Sequence, residues 1–75
     1  MYMVFVFEDV LTDYTSGQVV AVARDLKRAQ ELIGAECYER TAESLVAWDN
    51  GFAQPTAVYP TTASEERVHV CWGGA

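Results

Sequence analysis

Apolar and polar positions change rhythm along this 75-residue chain, and each rhythm predicts an element. The chain opens on Tyr2 to Phe7, YMVFVF, rich in β-branched and aromatic residues and free of Gly and Pro, which predicts a strand. Its apolar residues do not alternate with polar ones, so both faces are expected to be covered and the strand to lie centrally in a sheet. Residues 9–17, DVLTDYTSG, carry turn formers and close on Gly17. Gln18 to Ala23, QVVAVA, reads as a second strand, antiparallel to the first across that loop. Asp25 then suits a helix N-cap, where its carboxylate accepts free backbone N–H groups. Behind it Leu26, Ala29, Leu32 and Ile33 fall at helical spacing and Cys37 continues their face. Arg24, Lys27, Arg28, Glu31 and Glu36 take the other side, so an amphipathic helix is expected over about 25–38. Gly34 costs that helix up to ~1 kcal/mol against Ala.

Two readings fit the next segment. Thr41 caps a short helix, with Leu45, Val46 and Trp48 turned inward and Gly51 at its end. Alternatively, Ser44 to Trp48 is a strand and Asp49-Asn50-Gly51 is a tight turn into Phe52. Ala42, Glu43, Leu45 and Ala47 favour the helix. Pro55 and Pro60 bracket TAVY, a strand that Pro confines to a sheet edge. Glu66 to Trp72, ERVHVCW, alternates, with Val68, Val70 and Trp72 on one face and Arg67, His69 and Cys71 on the other. The order is ββα(α)ββ. It predicts one α+β domain over residues 1–75, in which an antiparallel sheet of three to four strands packs against one or two helices in two layers. Phe5, Phe7, Trp48 and Trp72 are expected in its core.

Composition narrows the function classes. At 51% hydrophobic and 12% aromatic the chain is no disordered acidic tail, and its length excludes two domains. It carries 11 Asp+Glu against 5 Lys+Arg, a formal net charge of −6. That balance argues against direct binding of nucleic acid, which calls for a basic patch, and against docking on an anionic membrane. It suits a basic partner surface, and equally serves plain solubility. The acid falls in two blocks: Glu8, Asp9 and Asp13 around the first loop, and Glu31, Glu36, Glu39, Glu43 and Asp49 in the middle of the chain. No apolar run approaches the ~18–20 residues of a membrane span. The longest, Met1 to Phe7, is too short for a signal-peptide core and no base precedes it, so a soluble cytoplasmic protein is expected. There Cys37 and Cys71 are expected as thiols.

Candidate chemistry is sparse. Cys37, His69 and Cys71 are the classical soft ligands, and His69 and Cys71 share a strand face. Zinc usually takes a tightly spaced Cys pair, which is missing, so no metal and no cofactor are expected. A Cys–His nucleophile needs a pocket and an orienting third group, and a chain of this size is not expected to form a cleft of the usual ~300 Å³ or more. Glu8-Asp9 and Glu65-Glu66 are adjacent pairs whose side chains diverge on a strand. The chain is therefore expected not to be an enzyme. Among the aromatics Tyr14, and after it Tyr38, are candidates for exposed anchors within a charged rim.

The layout as a whole resembles known small proteins. An opening strand, YMVFVFED, leads through a loop to a second strand that runs directly into a helix, VVAVARDLKRAQELI; Cys37 follows near the helix end and ERVHVCW comes last. This pattern, over most of the chain, is similar to that of small phage and mobile-element proteins, in particular type I anti-CRISPR inhibitors. The resemblance implies a non-enzymatic inhibitor, acting in an infected bacterium, that binds a basic DNA-holding surface of a CRISPR effector complex by mimicking DNA. The sign of the charge agrees, since DNA presents one charge per ~1.7 Å of helix axis.

The contact surface is read from the charge itself: Glu8, Asp9, Asp13, Tyr14, Glu31, Glu36, Glu39, Glu43 and Asp49. Glu36, Glu39 and Glu43 would form one stripe if a single helix ran through them. Arg24, Lys27 and Arg28 depart from a pure mimic and are expected in intrahelical pairs such as Lys27–Glu31. The alternative is a small structural or homo-oligomeric phage accessory protein, monomer or homodimer, whose apolar first strand is covered by a partner subunit.

Overall fold

Strand β1 (Met3–Val10) runs through the middle of a four-stranded antiparallel sheet. Residues 1–10 and 17–71 are described by the computed structural model, apart from the side chains of Asp9 and Cys71. Asp13, Tyr14 and Trp72 lie outside the described residues. The other strands are β2 (Gly17–Ala23), β3 (Ala57–Pro60) and β4 (Arg67–Cys71), in the spatial order β3-β1-β2-β4. The expected α+β architecture is the observed one, and its optional fourth strand and second helix both form. β1 is central, as expected. The proline-bracketed segment makes an edge strand, where the missing N–H of Pro60 leaves no gap inside the sheet.

All the helical structure covers one face of this sheet. Phe5 and Phe7 of β1 and Val19, Ala21 and Ala23 of β2 join Ala29, Ile33, Leu45 and Phe52 in one core. Strict alternation would turn Val10 away from that core. A register shift between Glu8 and Val10 brings it back, and Val10 is fully buried.

Helix α1 (Leu26–Ile33) starts as its sequence predicts. Asp25 is extended, and its carboxylate accepts the Arg28 backbone N–H at 2.8 Å. A π-helical turn, Gly34–Tyr38, continues α1, so helical backbone covers nearly all of the expected range. Gly34 is there because the returning chain crosses it: a Cβ would run into the carbonyl oxygen of Arg40. The Arg40 N–H donates to the Gly34 carbonyl at 2.9 Å. Glu39 ends the turn in the left-handed conformation, φ 54° and ψ 45°, a place usually taken by Gly.

The helical reading of the next segment holds. Helix α2 (Ala42–Trp48) is capped by Thr41, whose hydroxyl accepts the Ser44 N–H at 3.1 Å. Its exit differs from the expectation. Asp49, not Gly51, closes α2, and its carboxylate accepts the Gly51 N–H at 2.9 Å to open a 3₁₀ turn, Asn50–Phe52. That turn drives Phe52 into the core, 5.5 Å from the Phe7 ring and 6.1 Å from Tyr38, centroid to centroid. Gln30 Nε2 locks it by donating to the Phe52 carbonyl at 2.8 Å. Leu45 is buried and Val46 packs against the core, but Trp48 is 49% exposed and is no core residue. Phe52, not named among the expected core residues, is fully buried.

Candidate functional site

Exposed carboxylates are the feature on which a partner site would rest, and the fold sorts them into engaged and open groups. Asp25 and Asp49 each accept a backbone N–H at a helical start. Glu66 takes both oxygens to Arg28, Nε–Oε2 at 2.8 Å and Nη2–Oε1 at 2.9 Å. Glu31 reaches the same guanidinium at 3.5 Å, so the expected Lys27–Glu31 pair is replaced by Arg28–Glu31. The hydrogen bonds from Arg28 lower the carboxyl pKa of Glu66, and those to Glu66 raise that of Arg28. Glu65 pairs with Arg67 at 3.3 Å, both largely in solvent.

Glu36, Glu39 and Glu43 are exposed and form no ion pair among the described residues. They do not make the helical stripe that a continuous helix would give. The chain reverses at Glu39, which puts Glu36 on the π turn, Glu39 at its left-handed end and Glu43 in the first turn of α2. All three belong to the helical layer, and Asp49 closes the same α2. Glu8 belongs elsewhere. It pairs across the sheet with Gln18, on the face that the helices leave open. Glu8 and the carboxylates of the helical layer therefore lie on different sides of the sheet.

Aromatic residues surround this end of the helical layer. Tyr38 stacks on Trp48 with ring centroids 4.7 Å apart, and the Arg40 guanidinium lies 4.9 Å over the Trp48 ring. Tyr38 is half-buried and packs against the core rather than standing free as an anchor. Its hydroxyl is buried with no hydrogen-bond partner among the described residues. Burial first, then Cys37 and Asp49, push its pKa up to about 12. The exposed aromatic here is Trp48.

The soft ligands are separated. Cys37 packs toward the core from the helical side, whereas His69 pairs with Val20 on the open side of the sheet. Burial, with help from Glu36, raises the Cys37 thiol pKa, which keeps it protonated and a poor nucleophile. No cluster of three metal-binding side chains forms among the described residues. A cleft does form, contrary to expectation. A solvent-open groove of about 620 Å³ lies between α1 and α2, lined by Leu26, Gln30, Ala42, Val46, Ala53, Lys27 and Glu43. Two helices splayed over a sheet leave such a groove even in a short chain. Neither Cys37 nor His69 lines it.

The face opposite the helices carries the signal that charge reasoning missed. Cross-strand pairing sets out its rows: Tyr59, Val4, Val22 and Arg67, then Ala57, Val6, Val20 and His69, then Glu8 and Gln18. Val4, Val6, Val20 and Val22 form an apolar block that takes no part in the core cluster. Among the described residues no helix covers this face of the first strand. The unbroken apolar run of β1 was the sign of it, since a strand covered by its own helices on one side alone normally alternates.

No family model, curated protein or solved structure matches the chain. No helix among the described residues is long and apolar enough to cross a membrane.

Proposed function

We propose that this chain is a non-enzymatic acidic binding protein whose helical layer docks on a basic surface of a nucleic-acid-handling complex. The observation that carries this reading is the exposure of Glu36, Glu39 and Glu43, without ion pairs among the described residues, in the same helical layer as the exposed Trp48. Unpaired surface carboxylates meet Lys and Arg side chains without first breaking internal ion pairs, and they steer association by long-range attraction. An aromatic in a charged rim supplies the apolar anchor such contacts use. Arg28, which would oppose a basic partner, is neutralised by Glu66 and Glu31. In the form implied by the resemblance to type I anti-CRISPR inhibitors, the complex is a CRISPR surveillance complex in an infected bacterium's cytoplasm. These carboxylates then occupy the groove that holds target DNA and keep DNA out.

The test is capture of purified type I surveillance complexes by the tagged chain, repeated with excess target DNA and across a salt series. Capture that DNA displaces, and that falls steeply with salt, is the expected result. Failure to capture any such complex, or capture indifferent to both DNA and salt, contradicts the proposal.

A further inference from the structure

We propose that a second copy of this chain covers the open face of the sheet, in a dimer whose twofold axis lies in the interface and runs across the strands. This inference is independent of the acidic docking surface, which belongs to the other layer. Its first support is the valine block. Val4, Val20 and Val22 stand part-exposed at the centre of the face, outside the helix-covered cluster, around Val6, which its neighbours leave only 9% exposed. Tyr59, 56% exposed, flanks the block on the edge strand. Contiguous apolar surface of this kind, rimmed by polar groups, marks an interaction site.

The rim identifies the occupant. At one end of the strands stand Glu8 and Gln18. At the other end stand Arg67, paired in register with Val22, and Arg24, whose guanidinium lies 5.9 Å over the Tyr2 ring. Arg67 is already bridged to Glu65 at 3.3 Å, so the charges left to match are Glu8 at one end and Arg24 at the other, with the valines between. Such a pattern is complementary to itself once its direction is reversed. A twofold axis across the strands lays β1 over β1 and β2 over β2 of the second copy with directions opposed. Glu8 of each copy then meets the Tyr2–Arg24 end of the other, and the valine blocks close on each other. An axis along the strands would gather like charges at each end. Four strands spaced ~4.8 Å apart, with about six residues each at ~3.3 Å, give a face of roughly 400 Å² in projection. Two such faces closed together bury roughly 800 Å², the size of a weak, concentration-dependent association.

The experiment is light scattering of the purified chain over a concentration series, with variants read alongside. The wild type is expected to shift with concentration from its monomer mass of 8.3 kDa to twice that. Val20→Lys is expected to remain at monomer mass while keeping the circular dichroism spectrum of the folded chain. Glu8→Arg is expected to weaken self-association on the order of tenfold by placing it against the basic end of the other copy. Glu8→Arg combined with Arg24→Glu, which exchanges the two ends, is expected to restore it. A wild-type chain that stays monomeric up to ~1 mM overturns the proposal, because even a weak interface is populated there. So does a folded Val20→Lys chain that still dimerises. If the single reversal weakens association and the double variant fails to restore it, the proposed direction of the axis is overturned.

Discussion

Val19 and Val20 are neighbours on β2 with the same side chain, yet Val19 is fully buried in the helix-covered core and Val20 stands on the open face. The same contrast holds for Phe5 and Phe7 against Val4 on β1. The two faces of the sheet are similar in residue type and differ in what meets them. On the helical side, α1, α2 and the 3₁₀ turn close over the sheet through Ala29, Ile33, Leu45 and Phe52. On the other side no helix among the described residues covers the sheet. Similar residues thus become core on one face and part-exposed surface on the other, and the proposed dimer would cover the second.

Substitutions sharpen that contrast. The largest effect is expected at Phe52, whose truncation to Ala removes a fully buried ring at a cost of about 3–5 kcal/mol. That equals the whole net stability of about 3–5 kcal/mol expected at this length, so Phe52→Ala is expected to be largely unfolded by circular dichroism. Val20→Ala on the open face is expected to cost no more than about 0.5–1 kcal/mol in dilute solution, as for surface changes generally. Comparable losses at both positions would erase the distinction between the faces.

Gly34→Ala comes next. Its Cβ would collide with the Arg40 carbonyl where the chain folds back, and urea denaturation is expected to show a loss of about 1–3 kcal/mol. A smaller effect of opposite sign is expected at Tyr38. Its hydroxyl is buried without a partner, so Tyr38→Phe is expected to stabilise the fold by about 1 kcal/mol, read as a higher melting temperature.

The smallest effect concerns the Arg28–Glu66 link. Arg28 holds the folded-state pKa of Glu66 below its ordinary value of 4.5, so the unfolded chain takes up this proton first as pH falls. The stabilisation is therefore present above pH 4.5 and is lost as pH falls through the depressed folded value. Melting curves from neutral pH into acid are expected to show that loss for the wild type, and a flatter profile for Glu66→Gln.

Local chemistry was the legible part of the sequence. Asp25 and Thr41 cap the helices they precede because a cap is made within three residues, and Pro60 placed its strand at an edge because it lacks an N–H. What spans the chain was not legible. Arg28 and Glu66 are 38 positions apart, so the nearer Lys27–Glu31 spacing looked the better pair. The carboxylate stripe failed at Glu39 because no Gly or Asn announces the left-handed residue there. Gly34 was the available sign of a break, but it reads as a cost to the helix until the crossing chain at Arg40 is seen. Trp48 was expected in the core, but Asp49 starts a 3₁₀ turn that carries Phe52 inward and leaves Trp48 half exposed.

The two surfaces can be set against each other in one binding measurement. The affinity of a purified type I surveillance complex is compared for wild type, for the triple reversal of Glu36, Glu39 and Glu43 to Lys, and for Val20→Lys. The account predicts that the triple reversal abolishes binding while Val20→Lys, on the opposite face, binds as wild type does. Loss of binding by Val20→Lys, with the triple reversal unaffected, would contradict it and place the partner on the open sheet instead.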